Sequence, residues 1–450
     1  MSFGRRLAGA RFAWPLLACG LLTGAARAQT LPECLALARS HAPLLRASQA
    51  DAARAEAAIR EAEVALNPTL KLSASYVQNS EAPKAVFPIP GRPSPEVVNL
   101  GSSTDLDLRA DAQYTLYSWG RNPALVRAAE AERDQARTAL AETDADLVLR
   151  VSQAFYRALG AAQLAEAAQE AESSARSHLA MSAARVRAGV AQRLDSLRAQ
   201  ADLEQRSSGW LRAREAVRLA RIALATEIGA PLDSTRALVP PGPPDPRPPE
   251  MPRLLTRAVQ ARPELAALDQ QMAGISSRLA AARAARYPQL NLSATAEYTA
   301  PNLYSDYFNL TDPGLKTYKL YAGLAMSLPL LDGGFYNARV GQLQAQRTAL
   351  AERRRDTELR IRQQVEQAAS EMKVALSVWP SDSSRVEASA EALRLAEAGY
   401  AGGTSTATEV RDAEAALSDA RAEEAQTSMD YWIARAELDH ATAGAADKEK

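Results

Sequence analysis

The chain repeats itself, and this repetition limits what it can fold into. Arg39-Ser40-His41-Ala42-Pro43-Leu44-Leu45 resembles Gln260-Ala261-Arg262-Pro263-Glu264-Leu265. Asn67-Pro68-Thr69-Leu70-Lys71-Leu72-Ser73-Ala74 resembles Tyr287-Pro288-Gln289-Leu290-Asn291-Leu292-Ser293-Ala294. Both segments keep one offset of about 220 positions. Past the next loop the offset becomes about 214. Leu116-Tyr117-Ser118-Trp119-Gly120 then falls on Leu330-Leu331-Asp332-Gly333-Gly334, with Gly189 on Gly403, Asp195 on Glu409 and Leu203 on Leu417. The offset changes in a loop, where insertions are tolerated. Chance likeness among Ala-rich helices does not supply prolines, glycines and strand patterns in one order.

Each half reads as helix, strand, loop, strand, very long helix, turn, helix. Residues 29–238 form the first repeat and 253–443 the second. Between them, 239–252 is a Pro-rich linker: Pro240-Pro241-Gly242-Pro243-Pro244-Asp245-Pro246-Arg247-Pro248-Pro249 excludes helix and central strand. Residues 444–450 are a short polar tail. Residues 1–28 read as a secretory signal: Arg5, Arg6 and Arg11, then an apolar stretch from Phe12 to Leu22, then Ala26-Arg27-Ala28 before Gln29. Lipid attachment at Cys19 is the alternative processing route.

Thr104 to Tyr117 alternates with period two. Leu106, Leu108, Ala110, Ala112, Tyr114 and Leu116 share one face, and Asp105, Asp107, Arg109, Asp111, Gln113 and Thr115 the other. The runs at Leu70–Tyr76, Leu290–Tyr298 and Tyr318–Leu330 do the same. Each is about long enough to cross a bilayer at a tilt. A membrane barrel must close, and barrels of this kind start at about eight strands. Four strands per chain therefore predict an oligomer. The connecting loops, near Ser80 to Ser103 and Pro301 to Lys316, are expected outside the cell. Pro83, Pro88, Pro90, Pro93 and Pro95 predict no regular structure in the first.

From Pro123 to Arg187 no proline intervenes, and the one glycine is Gly160. Such a helix spans about 100 Å at 1.5 Å per residue. Leu203, Trp210, Val217 and Leu224 recur every seventh position with Ala213 and Ala220 between them, and Val410, Ala413, Leu417 and Ala420 repeat the pattern. Alanine at half the seam positions predicts close helix approach. With aromatics at 5%, the composition suits thin helical walls rather than a thick core. A formal net charge of +0 argues against nucleic-acid binding. His41, His178 and His440 lack metal-ligand spacing, so no metal and no cofactor are expected. Neither a phosphate-binding loop nor a nucleophile–base constellation is present, so no enzyme activity is expected.

In this order the motifs resemble the TolC-like outer-membrane efflux family over nearly the whole chain. Leu31 to Leu45 resembles its first helix, and Asn67-Pro68 and Tyr287-Pro288 its helix-to-strand entries. Ser118-Trp119-Gly120 and Asp332-Gly333-Gly334 resemble its strand-to-helix re-entries. Arg185-Val186-Arg187-Ala188-Gly189 and Tyr400-Ala401-Gly402-Gly403 resemble its helix-tip turns. The resemblance implies a mainly α fold with a small membrane β-barrel and a periplasmic α-barrel of antiparallel coiled coils. It implies a homotrimer docking a periplasmic adaptor and an inner-membrane transporter, as the passive exit duct of an efflux or type I secretion system. Carried over residue by residue, it makes Glu409 and Asp412 the pore constriction and Asp195 with Tyr400 a gate latch. Val186, Gly189, Val190 and Gly403 become the adaptor-docking tips. Ser405 departs from the arginine the resemblance leads one to expect, which puts a second, charge-based latch in question. Val378-Trp379-Pro380 interrupts what should be an unbroken long helix, and a bend or broken turn is expected there. The rival reading is a periplasmic structural coiled coil that never enters a membrane.

Overall fold

The computed structural model describes residues 29–81, 84–88, 90–91, 93, 96–99, 103–233, 236–242, 250–300 and 318–443. The signal reading, the second loop, most of the Pro-rich linker and the C-terminal tail lie outside the described residues.

The first half begins with α1 (Leu31–His41) and α2 (Pro43–Glu63), followed by a short 3-10 turn. Strands β1 (Thr69–Gln78) and β4 (Thr104–Tyr117) lead into α3 (Arg121–Arg187) and α4 (Arg193–Ile228). The second half repeats the order: α5 (Met251–Ala261), α6 (Pro263–Ala284), β5 (Gln289–Ala300), β6 (Tyr318–Ser327), α7 (Phe335–Gly402) and α8 (Ala407–Ala441). The duplication read from the sequence is thus a duplication of elements. Pro43 and Pro263 each stand in the first turn of a helix, where the missing N–H is no loss.

The first loop corrects the sequence reading. It carries a short antiparallel pair, β2 (Lys84–Phe87) and β3 (Glu96–Asn99). Neither strand contains a proline, so no ladder N–H is lost inside either one. The broken turn expected at Pro380 is not found, because α7 continues as helix through it. Proline forfeits one intrahelical bond, but Pro380 faces outward and its neighbours are anchored. Met372 and Ala375 lie in the core on one side. On the other, the buried Asp382 accepts a 2.6 Å bond from the Thr427 hydroxyl on α8.

The long helices form a wall. Near the sheet α2, α3, α6 and α7 lie side by side in that order; farther along the order is α4, α3, α8, α7. The α4 seam is the predicted one. Leu203, Trp210, Ala213, Val217, Ala220 and Leu224 are all buried or half-buried. On α8, Val410, Leu417 and Ala420 are buried. Where α3 meets α8, a Cβ on Gly160 would come within 2.9 Å of the Met429 sulfur, so the Met429 side chain would have to give way.

Phe155, Tyr156, Tyr431 and Trp432 gather in one belt, where α1 and α5 thicken the wall. Phe155, Tyr156 and Tyr431 are buried there, and Tyr156 stacks on Trp432 at 5.8 Å. Cys34 is buried in the same belt and its thiol is pushed up by burial.

Candidate functional site

Four strands make one antiparallel sheet in the order β1-β4-β5-β6. Register carries the alternation across all of them. Leu72, Ala110, Ala296 and Leu320 stand in one row; Ala74, Leu108, Tyr298 and Tyr318 in the next. The opposite face sets Ser73, Arg109, Glu297 and Lys319 in a row, beside Lys71, Asp111, Thr295 and Tyr321. On that face Arg109 pairs with Asp111 at 2.8 Å, and Thr295 donates to Asp111 at 2.7 Å. Among the described residues nothing covers the apolar face: Leu72 and Leu320 are each 77% exposed. A water-facing sheet would not keep such a surface bare, whereas lipid would cover it at no cost.

Among the described residues the sheet is open on both sides. β1 and β6 each pair with one neighbour only, so each leaves a row of backbone groups unpaired. The wall is open on the same two sides, with α2 and α4 beyond β1 and α7 beyond β6. Large apolar side chains stand exposed along both: Leu211, Leu219 and Ile222 on α4, and Leu359, Val374 and Leu395 on α7.

At the far end the two hairpin tips turn by the same device. After α3, Gly189 takes φ +75°, Gly189 N–H donates to the Val186 carbonyl and Val190 N–H to that of Arg185. After α7, Gly403 takes φ +80°, Gly403 N–H donates to the Tyr400 carbonyl and Thr404 N–H to that of Gly399. Both are Schellman caps, which need a residue tolerant of positive φ. Val186 is half-buried, while Val190, Gly189 and Gly403 are exposed on the outermost turns.

Glu409 and Asp412 share an exposed face of α8 just beyond the second tip. Glu409 also has a local duty that sequence reading missed. Its carboxylate accepts from the Thr406 N–H at 2.7 Å while its own N–H donates to the Thr406 hydroxyl at 3.2 Å, a reciprocal helix cap. The Thr-x-x-Glu spacing was the available signal. Asp412 meets Arg411 at 3.3 Å and is otherwise open to solvent.

Within one chain no hydrogen bond joins Asp195 to Tyr400. Asp195 is half-buried in the first turn of α4. Tyr400 is buried against the α3 side chains His178 and Arg185. Glu414 lies nearby on α8, buried, with a 2.9 Å bond from the Ser174 hydroxyl. Burial pushes its carboxyl up, against the pull of that bond and of His178.

A second buried polar group sits in the aromatic belt. Arg262, 4% exposed at the start of α6, donates to Gln364 at 2.6 Å and to the His440 carbonyl at 3.0 Å, and pairs with Glu264 at 2.8 Å. The His440 ring in turn meets Asp146 on α3 at 2.8 Å. Burial, with Glu264 and Asp146 close by, pushes Glu142 up. Sequence reading treated His440 and Arg262 separately, since nothing in spacing joins α3, α6, α7 and α8 at one point. Among the described residues no helix is long and apolar enough to cross a membrane, which says nothing of the strands.

The fold has counterparts among solved structures. The chain superposes on the CmeC outer-membrane channel of Campylobacter jejuni with a TM-score of 0.77 at 15% identity, over 92% of this chain and 85% of that one. For VceC of Vibrio cholerae the figures are 0.74 and 20%, over 92% and 96%. For the open state of the MtrE channel of Neisseria gonorrhoeae they are 0.73 and 20%, over 92% and 89%. Among curated sequences, Protein CyaE of Bordetella pertussis is 29% identical over 223 residues, 49% of this chain; the match spans 46% of that relative, less than half its length. The family model described as outer membrane efflux protein matches residues 34–230 and 254–444, one stretch per repeat. The chain belongs to the outer membrane efflux protein family, and with it to the cell outer membrane, its long helices reaching into the periplasm.

Proposed function

We propose that the chain is one third of a passive, trimeric exit duct serving a tripartite efflux or type I secretion system. One observation carries this reading: sheet and wall are open along the same two sides, with unpaired strand edges above and bare apolar helix faces below. An open edge in lipid is not tolerated. A heterologous contact between the β1–α2–α4 side of one copy and the β6–α7 side of the next removes both, and closes if the rotation closes. Three copies bring about twelve strands, above the minimum of about eight. A structural coiled coil outside the membrane would leave the apolar sheet face in water.

The polar sheet face then lines the pore. Glu409 and Asp412, repeated three times, form a ring of carboxylates at the periplasmic entrance, which favours cations. Asp195 and Tyr400 belong to the same gate region. The exposed turns at Val186, Gly189, Val190 and Gly403 offer the docking surface for a periplasmic adaptor, and an inner-membrane transporter supplies the energy. The purified protein should conduct ions in planar bilayers. Glu409→Ala combined with Asp412→Ala should lower its cation selectivity. A protein without conductance would reject the duct, and unchanged selectivity would reject the ring.

A further inference from the structure

Tyr400 closes the last turn of α7, yet α3 buries it to 4% exposure. The His178 ring lies 5.5 Å from the Tyr400 ring, tilted by 52°. The Arg185 guanidinium carbon stands 4.5 Å from the ring centroid. The same guanidinium donates through Nη1 to the Tyr400 backbone carbonyl. His178, Ser182 and Arg185 are four and three residues apart, hence on one face of α3. Arg185 Nε and His178 Nε2 are buried without hydrogen-bond partners, so no bond from these nitrogens pulls either group off the ring.

Position makes this contact more than packing. Along their lengths α3 runs beside α8, and α8 beside α7. Arg185 therefore reaches across to the end of α7 and ties the last turn of one long hairpin to the last turn of the other. A planar guanidinium can lie on an aromatic face and donate to a carbonyl at once, which an ammonium does poorly. Any motion that carries one tip away from the other has to break both contacts.

Resting on the channel reading above, we propose that Arg185 is the positioning residue that holds the two tips together within each chain. It does so by lying on the Tyr400 ring and bonding its carbonyl, and the Tyr400 hydroxyl is dispensable. A latch made by that hydroxyl to Asp195 makes the opposite demand, so Tyr400→Phe separates the two.

The experiment compares Tyr400→Phe, Tyr400→Ala, Arg185→Ala and Arg185→Lys as heat-resistant oligomers in planar bilayers. It also follows amide exchange at the tip turns 186–192 and 400–406. Tyr400→Phe should match the wild type in both readouts. Tyr400→Ala and Arg185→Ala should raise the open fraction and the tip exchange several-fold, with Arg185→Lys between. Opening by Tyr400→Phe as large as that by Tyr400→Ala overturns the proposal, as does an Arg185→Lys protein that behaves as wild type. Should Arg185→Ala fail to assemble, Tyr400→Phe and Arg185→Lys decide. A wild type that conducts nothing would remove the channel reading, while exchange at the tips would still judge the tether.

Discussion

At the strand-to-helix re-entries the first half places Trp119 at φ +51° and Gly120 at +81°; the second half places Gly333 at +61° and Gly334 at +87°. At the helix ends Gly229 takes +75° and Ala443, its counterpart, +53°. The backbone path is the same, but the side chains differ. Trp119 tolerates the left-handed region because it packs between Tyr117 at 5.1 Å and Tyr287 at 5.3 Å, contacts that reach into the second half. Gly229 must be small because a Cβ there would meet the His41 carbonyl at 3.0 Å and the elbow at Pro43. Arg262 stands where the first half has Ala42, and Arg185 where the second half has Gly399. The halves keep the geometry that a single copy needs. At Trp119 and Arg185 they diverge where one half touches the other, while Gly229 and Arg262 answer to neighbours within their own half.

This comparison can be broken at matched positions. The largest effect is expected at the elbows. Arg262→Ala strips a buried ion pair and leaves Glu264, Gln364 and the His440 carbonyl short of a donor, costing about 3–5 kcal/mol. Ala42→Gly, the matched change, should cost about 1 kcal/mol or less. Denaturant unfolding of the solubilised protein reads both, and equal losses would mean the elbows are alike after all.

A middle-sized effect is expected at the second helix start. Thr406→Ala removes the reciprocal cap with Glu409 and should cost about 1 kcal/mol. Gln192, its counterpart, makes no side-chain cap, so Gln192→Ala should be near neutral. Exchange protection of the first turns of α4 and α8 separates them.

The smallest effect is one of pH. Burial raises the folded-state value of Glu414 above its unfolded one. The folded chain therefore binds this proton more tightly. The resulting stabilisation is complete at pH below the unfolded value and is lost as pH rises through the raised folded value. Glu414→Gln should flatten that part of the stability–pH curve and stabilise the tip seam at neutral pH. A curve that keeps its slope in the variant contradicts this account of Glu414.

Much of the fold was legible because it rests on local rules. Pro43 and Pro263 announce helix starts, Gly189 and Gly403 announce caps, and the alternation from Leu106 to Leu116 announces a strand with two unlike faces. Two readings missed because a local rule met its surroundings. Pro380 predicted a break, but one missing bond did not outweigh anchors on both sides. The prolines of the first loop predicted disorder of pattern, yet none of them falls inside β2 or β3. The tip site was half legible. Spacing placed Glu409 beside Asp412 and found both turns, but it could not bring Arg185 onto Tyr400 or His440 onto Asp146. Those contacts join residues far apart in the chain, and they follow from how the long helices pack side by side rather than from any period.

The claim beneath all of this is that two unfinished sides, β1 with α4 and β6 with α7, complete one another between copies. Native mass spectrometry of the protein released from detergent micelles tests it directly. The account predicts a dominant species of three chains. A dominant single chain, stable and still carrying its four-stranded sheet, would contradict it.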